Sequence, residues 1–229
     1  MTAGGLILKQ LELGPMMNFV YIVGCEQTRQ AAAVDPAWDV KAILATARQL
    51  DLHLHHILLT HAHPDHINGL EELLDATDAT VYVNAEELVY MREMAPRYQV
   101  PIGFLDRRAQ NFRAVVDNEE IHIGAIPVRV LHTPGHTPGS QCFLAGKHLL
   151  AGDTLFIDAC GRVDLPGSDP AKMWWSLNRR LRALDDDLVL YPGHSYGGRS
   201  STLGDQKRTN PYMQFGSADQ FVRAMGMGM

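Results

Sequence analysis

Thr60-His61-Ala62-His63-Pro64-Asp65-His66 follows directly on the apolar run Ile57-Leu58-Leu59. Three imidazoles and a carboxylate in so short a stretch constrain the chain more than any other feature, because each buried ring nitrogen needs a partner. A strand that runs into such a segment delivers the polar side chains to its C-terminal edge, where open α/β sheets bind ligands. A metal ion would satisfy them together. Neutral imidazole with carboxylate suits zinc, iron, manganese or cobalt, and a closed thiolate zinc site is not supported, since no cysteine pair has the required spacing. A solvated His-rich loop or a histidine pH switch is the competing account, but neither calls for H-x-H-x-D-H at the end of a strand.

Three further turns repeat the arrangement of apolar run, turn and ligand-type side chain. His136 sits at the centre of Thr133-Pro134-Gly135-His136-Thr137-Pro138-Gly139-Ser140, Asp153 follows Leu149-Leu150-Ala151-Gly152, and His194 closes Tyr191-Pro192-Gly193-His194. Taken alone, each is an ordinary tight turn. Their recurrence after apolar runs points to one shared site. The remaining histidines, His53, His55, His56, His122, His132 and His148, lack that spacing and read as structural or surface residues.

The rest of the chain supplies a scaffold. Strands are expected at Leu6–Leu13, Phe19–Val23, Ala31–Asp35, His56–Thr60, Val81–Val83, Ile126–His132, Gln141–Ala145, His148–Ala151 and Leu188–Tyr191, from their Val/Ile/Leu content and bounding turn residues. Helical spacing predicts helices over Val40–Leu50, with Asp39 as N-cap, and over Asn68–Ala76 and Ala85–Met94. Asp169-Pro170 opens another, running to about Leu184. Mixed strands and helices with no linker predict one layered α/β domain over residues 1–229. The tail Met225-Gly226-Met227-Gly228-Met229 is expected to fray.

Charge and cysteine content narrow the function classes. Twenty Lys and Arg against 26 Asp and Glu leave a net charge of −6, which disfavours nucleic acid and anionic membrane surfaces. Cys25, Cys142 and Cys160 cannot all pair, so a reducing compartment fits best. Met1 to Leu13 lacks the features of a signal peptide, and no apolar stretch approaches the ~18 residues of a membrane-spanning helix. A cytoplasmic location is expected.

The set THAHPDH, His136 in TPGHTPGS, Asp153 in GDT and His194 in PGH resembles the metallo-β-lactamase-fold metallohydrolases, above all their glyoxalase II (hydroxyacylglutathione hydrolase) and persulfide dioxygenase branches. The resemblance runs from Asn18 to Asn210-Pro211 and implies a four-layer αββα sandwich of two mixed β-sheets flanked by helices. Carried over by position, His61, His63 and His136 match a first metal site, and Asp65, His66 and His194 a second, with Asp153 as the bridging carboxylate. Two divalent ions are implied, zinc first, with iron or manganese as alternatives.

The glyoxalase II branch implies hydrolysis of an acyl thioester of the S-acylglutathione type, with Asp65 and Asp153 as catalytic carboxylates. The persulfide dioxygenase branch implies a single Fe(II) on His61, His136 and Asp153, acting on glutathione persulfide. Cys160-Gly161-Arg162, Asp164, Tyr196 and Asp35-Pro36 resemble the second branch; Asp164-Leu165-Pro166-Gly167 lies closer to short glyoxalase II-like chains. Under either, Arg162 and Tyr196 would contact a small thioester or thiol-derived substrate. A metal-binding protein without catalysis is a third class, which a saturated site closed to substrate would favour. The roughly 35 residues beyond His194, with Lys207-Arg208 among them, leave little for a separate glutathione-gripping region. Oligomeric state cannot be read from these residues.

Overall fold

The computed structural model describes residues 5–226, so Met227 to Met229 of the Met-rich tail lie outside the described residues. In chain order the first half comprises β1 (Leu6–Leu13), β2 (Asn18–Cys25), β3 (Gln30–Val34), α1 (Val40–Gln49), β4 (His53–Leu58), α2 (Pro64–Ile67), α3 (Leu70–Thr77), β5 (Thr80–Asn84), α4 (Ala85–Tyr98), α5 (Gly103–Arg107) and β6 (Phe112–Val115). The second comprises β7 (Glu120–Ile123), β8 (Ile126–His132), β9 (Gln141–Ala145), β10 (His148–Gly152), β11 (Leu155–Phe156), β12 (Ala159–Cys160), α6 (Pro170–Trp175), β13 (Val189–Pro192), β14 (Ser201–Thr202), α7 (Leu203–Thr209) and α8 (Ala218–Gly226).

β1 to β6 form one mixed sheet in sequence order, and β14-β13-β10-β9-β8-β7 a second. Three apolar layers show how they stack. Phe19, Tyr21, Val34, Leu58, Val128, Phe143 and Leu150 pack between the sheets. Ile57, Val81 and Val83 face α1, α3 and α4 through Ile43, Leu73 and Met91, whereas Leu149 and Leu190 face Met173, Leu177, Leu203 and Phe221. Alternating strand side chains thus bury both faces of each sheet. The outcome is the four-layer αββα sandwich with two mixed sheets.

Most expected elements are present with shifted ends. Asp39 caps α1, accepting from Ala42 N at 2.9 Å, and Asp169 caps α6 through Ala171 N and Lys172 N. The helix after Pro170 does not run on as a regular α-helix to Leu184: α6 ends at Trp175 and Ser176–Leu181 is a π-helical turn. The strand expected at His56–Thr60 is β4, His53–Leu58, so His53, His55 and His56 lie on it, and Thr60 belongs to the loop. β6, β7, β11, β12, β14, α2, α5, α7 and α8 had no expectation. The Met-rich tail begins inside α8, which holds Met225 and Gly226.

One edge of the sandwich is stitched by backbone bonds between elements distant in sequence. Gln141 N donates to Thr60 O at 2.9 Å, Gly193 N to Gly152 O at 2.8 Å, and Phe19 N to Gly193 O at 2.7 Å. β10 and β13 run parallel, with Gly152 opposite Pro192, so the chain leaves both strands side by side. All four polar turns therefore open onto this edge.

Candidate metal centre

Pro64 begins α2 and His63 is its N-cap, which turns the chain so that Asp65 and His66 stand on the first helical turn beneath His61. His63 Nδ1 lies 2.8 Å from His136 Nε2. His66 Nε2 lies 3.1 Å from His194 Nε2, 3.3 Å from Asp153 Oδ1 and 3.5 Å from Asp65 Oδ2. Asp153 Oδ2 stands 3.5 Å from both His136 Nε2 and His194 Nε2. Ligand atoms of His61, His63 and His136 fall within 4.8 Å of one another, as do those of Asp65, His66 and His194. Asp153 touches both groups. The seven positions expected from the sequence are thus neighbours in space, and all five histidines are buried.

The ring nitrogens facing away from this cluster are each within hydrogen-bond reach of an oxygen. His61 Nδ1 meets Thr60 Oγ1 at 3.0 Å, His63 Nε2 meets Tyr90 Oη at 3.0 Å, and His66 Nδ1 meets Asp35 Oδ2 at 3.1 Å. His136 Nδ1 donates to Arg162 O and His194 Nδ1 to Met16 O, both at 2.8 Å. Oxygen partners of this kind fix ring orientation and leave the inner nitrogen free to ligate. Inside, His61 Nε2 and Asp153 Oδ1 are buried with no hydrogen-bond partner. Unsatisfied buried acceptors are costly, so the donor set fits divalent ions and is poorly explained without them.

Electrostatics divide the two groups. Burial, reinforced by neighbouring imidazoles, holds His61 well below the usual histidine range, pushes His63 down to about 3 and lowers His136, so these three are neutral, as metal ligation requires. Burial also opposes charge on His66 and Asp153, yet their mutual attraction prevails: His66 is raised well above the ordinary range and Asp153 held well below it. Burial likewise opposes charge on His194, but its hydrogen bond to Asp153 raises it.

Residues with no assigned role in the sequence hold the cluster in place. Asn18 Nδ2 donates to Asp65 Oδ2 at 2.9 Å while its Oδ1 accepts from Trp38 Nε1 at 2.8 Å. Asp35, in the left-handed region at φ 50°, accepts from Thr60 N at 2.7 Å and Thr60 Oγ1 at 2.5 Å. Glu87, fully buried, accepts from Ala62 N at 2.6 Å, Thr137 Oγ1 at 2.7 Å and Gly139 N at 2.9 Å, tying the His61–His63 segment to the His136 turn. Asp35 could have been found by the apolar-run-then-carboxylate pattern that found Asp153. Glu87 and Tyr90 carry no local signal, because only tertiary contacts connect α4 to these turns. Gly193 has its own constraint: a Cβ there would meet Asp153 Oδ1 at 2.3 Å.

Above the cluster opens a cleft of about 380 Å³. Arg162 and Tyr196, the two substrate-contact candidates, both line it. The Arg162 guanidinium is, however, engaged by Asp164 through two bonds of 2.9 and 2.8 Å. Tyr196 stacks on His194, rings 4.6 Å apart and 9° from parallel. The other six histidines stay on strands or their ends, outside every such ligand group among the described residues. Lys207 and Arg208 pair with Asp186 and Asp205, away from the cleft lining.

Known proteins are similar to this chain in sequence and fold. The chain is 33% identical to the hydroxyacylglutathione hydrolase of Rhodospirillum rubrum over 92% of its own length and 87% of that protein's. It is 29% identical to the human mitochondrial persulfide dioxygenase ETHE1, over 96% of this chain and 81% of that one. The crystal structure of ETHE1 from Myxococcus xanthus superposes with a TM-score of 0.82 at 31% identity, covering 96% of this chain and 90% of the other. The sequence profile of the metallo-beta-lactamase superfamily matches residues 13–194, which span the whole cluster from the hairpin before Asn18 to His194. With the fold, the site and the sequence in agreement, the chain belongs to the metallo-beta-lactamase superfamily.

Proposed function

We propose that this protein is a metal-dependent hydrolase of acyl thioesters of the S-acylglutathione type, holding two divalent cations, zinc foremost, on His61, His63, His136, Asp65, His66, His194 and the shared Asp153. The observation that carries this reading is that five buried histidines and the partly buried Asp65 fall into two groups, both touched by the partly buried carboxylate of Asp153. Bound there, the ions would supply hydroxide at neutral pH and polarise the scissile carbonyl.

The chain's own groups do the remaining work. Asp153 fixes the separation of the two halves, and Asp65, steadied by Asn18, offers a carboxylate to orient the attacking water and accept its proton. No side-chain nucleophile is called for. Cys160 lines the cleft, but burial pushes its thiol up to about 12, which keeps it protonated. A thiolate leaving group, with an ordinary pKa near ~8.5, departs without strong acid assistance. Arg162 and Tyr196 lie where they can contact the substrate's flanks. The open cleft also speaks against a saturated, non-catalytic metal store. Three unpaired cysteines and the absence of any helix long and apolar enough to cross a membrane among the described residues support a cytoplasmic reading.

The likeness to ETHE1 favours a second reading, one Fe(II) on His61, His136 and Asp153 acting on a persulfide. Metal analysis after anaerobic purification, coupled to acyl-glutathione hydrolysis and to oxygen uptake with glutathione persulfide, separates them. Two ions with hydrolysis is the expected result; one iron with oxygen uptake and no hydrolysis overturns it.

A further inference from the structure

The walls of the cleft differ in character from its floor. His63, Asp65, His136, Asp153 and His194 form the floor. Met16, Tyr98, Phe156, Cys160, Leu165 and Tyr196 supply most of the wall, from five separate segments of the chain. Phe156 packs edge-on against both His194 and Tyr196, with ring centroids 5.9 Å apart in each case, so the aromatic side of the cleft is braced against the cluster itself. Met16 and Tyr196 are nonetheless 45% and 54% exposed. Large apolar side chains left open to water around a concave site mark a surface that a ligand covers.

Charge gives an independent indication. Arg162 is the sole lysine or arginine among the described residues that line the cleft, and its Nε and one Nη donate to Asp164, whose carboxylate balances its charge. Arg199, five residues beyond His194, is tied to Glu12 and lies over the Phe19 ring. An anionic group pressed against Met16, Tyr98, Phe156 and Leu165 would lose water and meet no charge-unbalanced lysine or arginine on that wall. An alkyl chain has no hydrogen-bonded water to lose, and would gain roughly what each buried methylene gains elsewhere. Methionine at the rim adapts to chains of differing shape.

We infer that the cleft takes an uncharged, apolar acyl chain against Met16, Tyr98, Phe156 and Leu165, which makes medium-chain aliphatic acyl thioesters the preferred substrates over small hydroxyacyl or acidic ones. This rests on the thioesterase reading for the reacting bond and adds the chemistry of the acyl arm. The hydrolysis itself is balanced by water, yielding the carboxylic acid and the free thiol.

The test keeps the thiol half constant. The metal-loaded full chain is assayed with acetyl-, butanoyl-, hexanoyl-, lactoyl- and succinyl-glutathione, and binding of S-methyl-, S-butyl- and S-hexylglutathione, which cannot be hydrolysed, is titrated in parallel. Expected are a two- to fourfold gain in kcat/KM per added methylene, the upper figure being full burial of each, a matching gain in thioether affinity, and succinyl below butanoyl. Leu165→Asn should flatten both gradients. A flat or falling series, or succinyl and lactoyl ahead of hexanoyl, overturns the inference while leaving the thioesterase reading intact. No hydrolysis of any thioester overturns that reading, and the thioether titration then still decides the character of the cleft: a flat series there refutes it.

Discussion

Tyr90 shows how much of the centre depends on one hydroxyl outside it. Its oxygen lies 3.0 Å from His63 Nε2 and donates to Pro166 O at 3.0 Å, so it accepts the imidazole proton and leaves the Nδ1 lone pair facing His136. Buried as it is, with its own ionisation pushed far up, the phenol stays neutral and serves as a fixed dipole. Tyr90→Phe removes this partner and little volume. Metal affinity at the His61–His63–His136 group should fall about 10- to 100-fold, the usual cost of losing an oxygen partner behind a ligand. Chelator competition measures it; unchanged affinity would show that the other contacts suffice to hold His63.

At the scale of elements, α4 is the member that assembles the His61–His63–His136 group. It starts directly after β5 with Asn84 as N-cap, accepting from Glu86 N at 2.8 Å. That start places Glu87 and Tyr90, three residues apart, on one face. Both reach turns that lie far away in sequence. Burial raises the Glu87 carboxyl from an ordinary 4.5 to about 7, with Thr137, Ala62 and Gly139 pulling the other way. A folded pKa above the unfolded one means that the native state holds this proton longer. Stability is therefore unaffected by Glu87 below pH 4.5, declines as pH rises towards 7, and stays lower beyond it by about 3 kcal/mol. Glu87→Gln should flatten the decline between pH 5 and 7 in urea unfolding of the metal-free protein, at the constant cost of an unpaired Gly139 N–H. An unchanged pH slope would mean that the carboxyl is ionised throughout.

At the scale of the molecule, the site exists only where both sheets meet. Asp65 and His66 hang from the first sheet, His136, Asp153 and His194 from the second, and Gln141 joins the two by donating to Thr60 O and Leu59 O. Ions bound by both halves must clamp the sandwich. Zinc at about 100 times its dissociation constant should raise the unfolding free energy by about 2.7 kcal/mol per site. Thermal melts with and without chelator check it, and a chelator-insensitive Tm would show that the cluster binds no ion tightly in the folded state.

Much of this architecture was legible in the residues. Val/Ile/Leu content and bounding turn residues placed β8 and β9 to the residue, and Asp39 and Asp169 marked helix starts because capping is local chemistry. The ligand-type side chains of THAHPDH, His136, Asp153 and His194 were visible because each follows an apolar run and a turn. The weaker elements went unseen: β6 and β7 are four residues each, and their pairing comes from neighbouring strands rather than from a strong pattern of their own.

The sequence by itself determined the chemistry available: which atoms can ligate, which turns carry them and that strands and helices layer into an α/β fold, the four-layer sandwich being what the family resemblance implied. Only the tertiary structure decided what those atoms face. Asn18, Asp35, Glu87 and Tyr90 act across 25 to 76 residues of chain, and the apolar wall above the cluster is gathered from five segments. Contacts of that range leave no periodic trace in the chain, because they are set by the packing of elements and not by the spacing of residues within one.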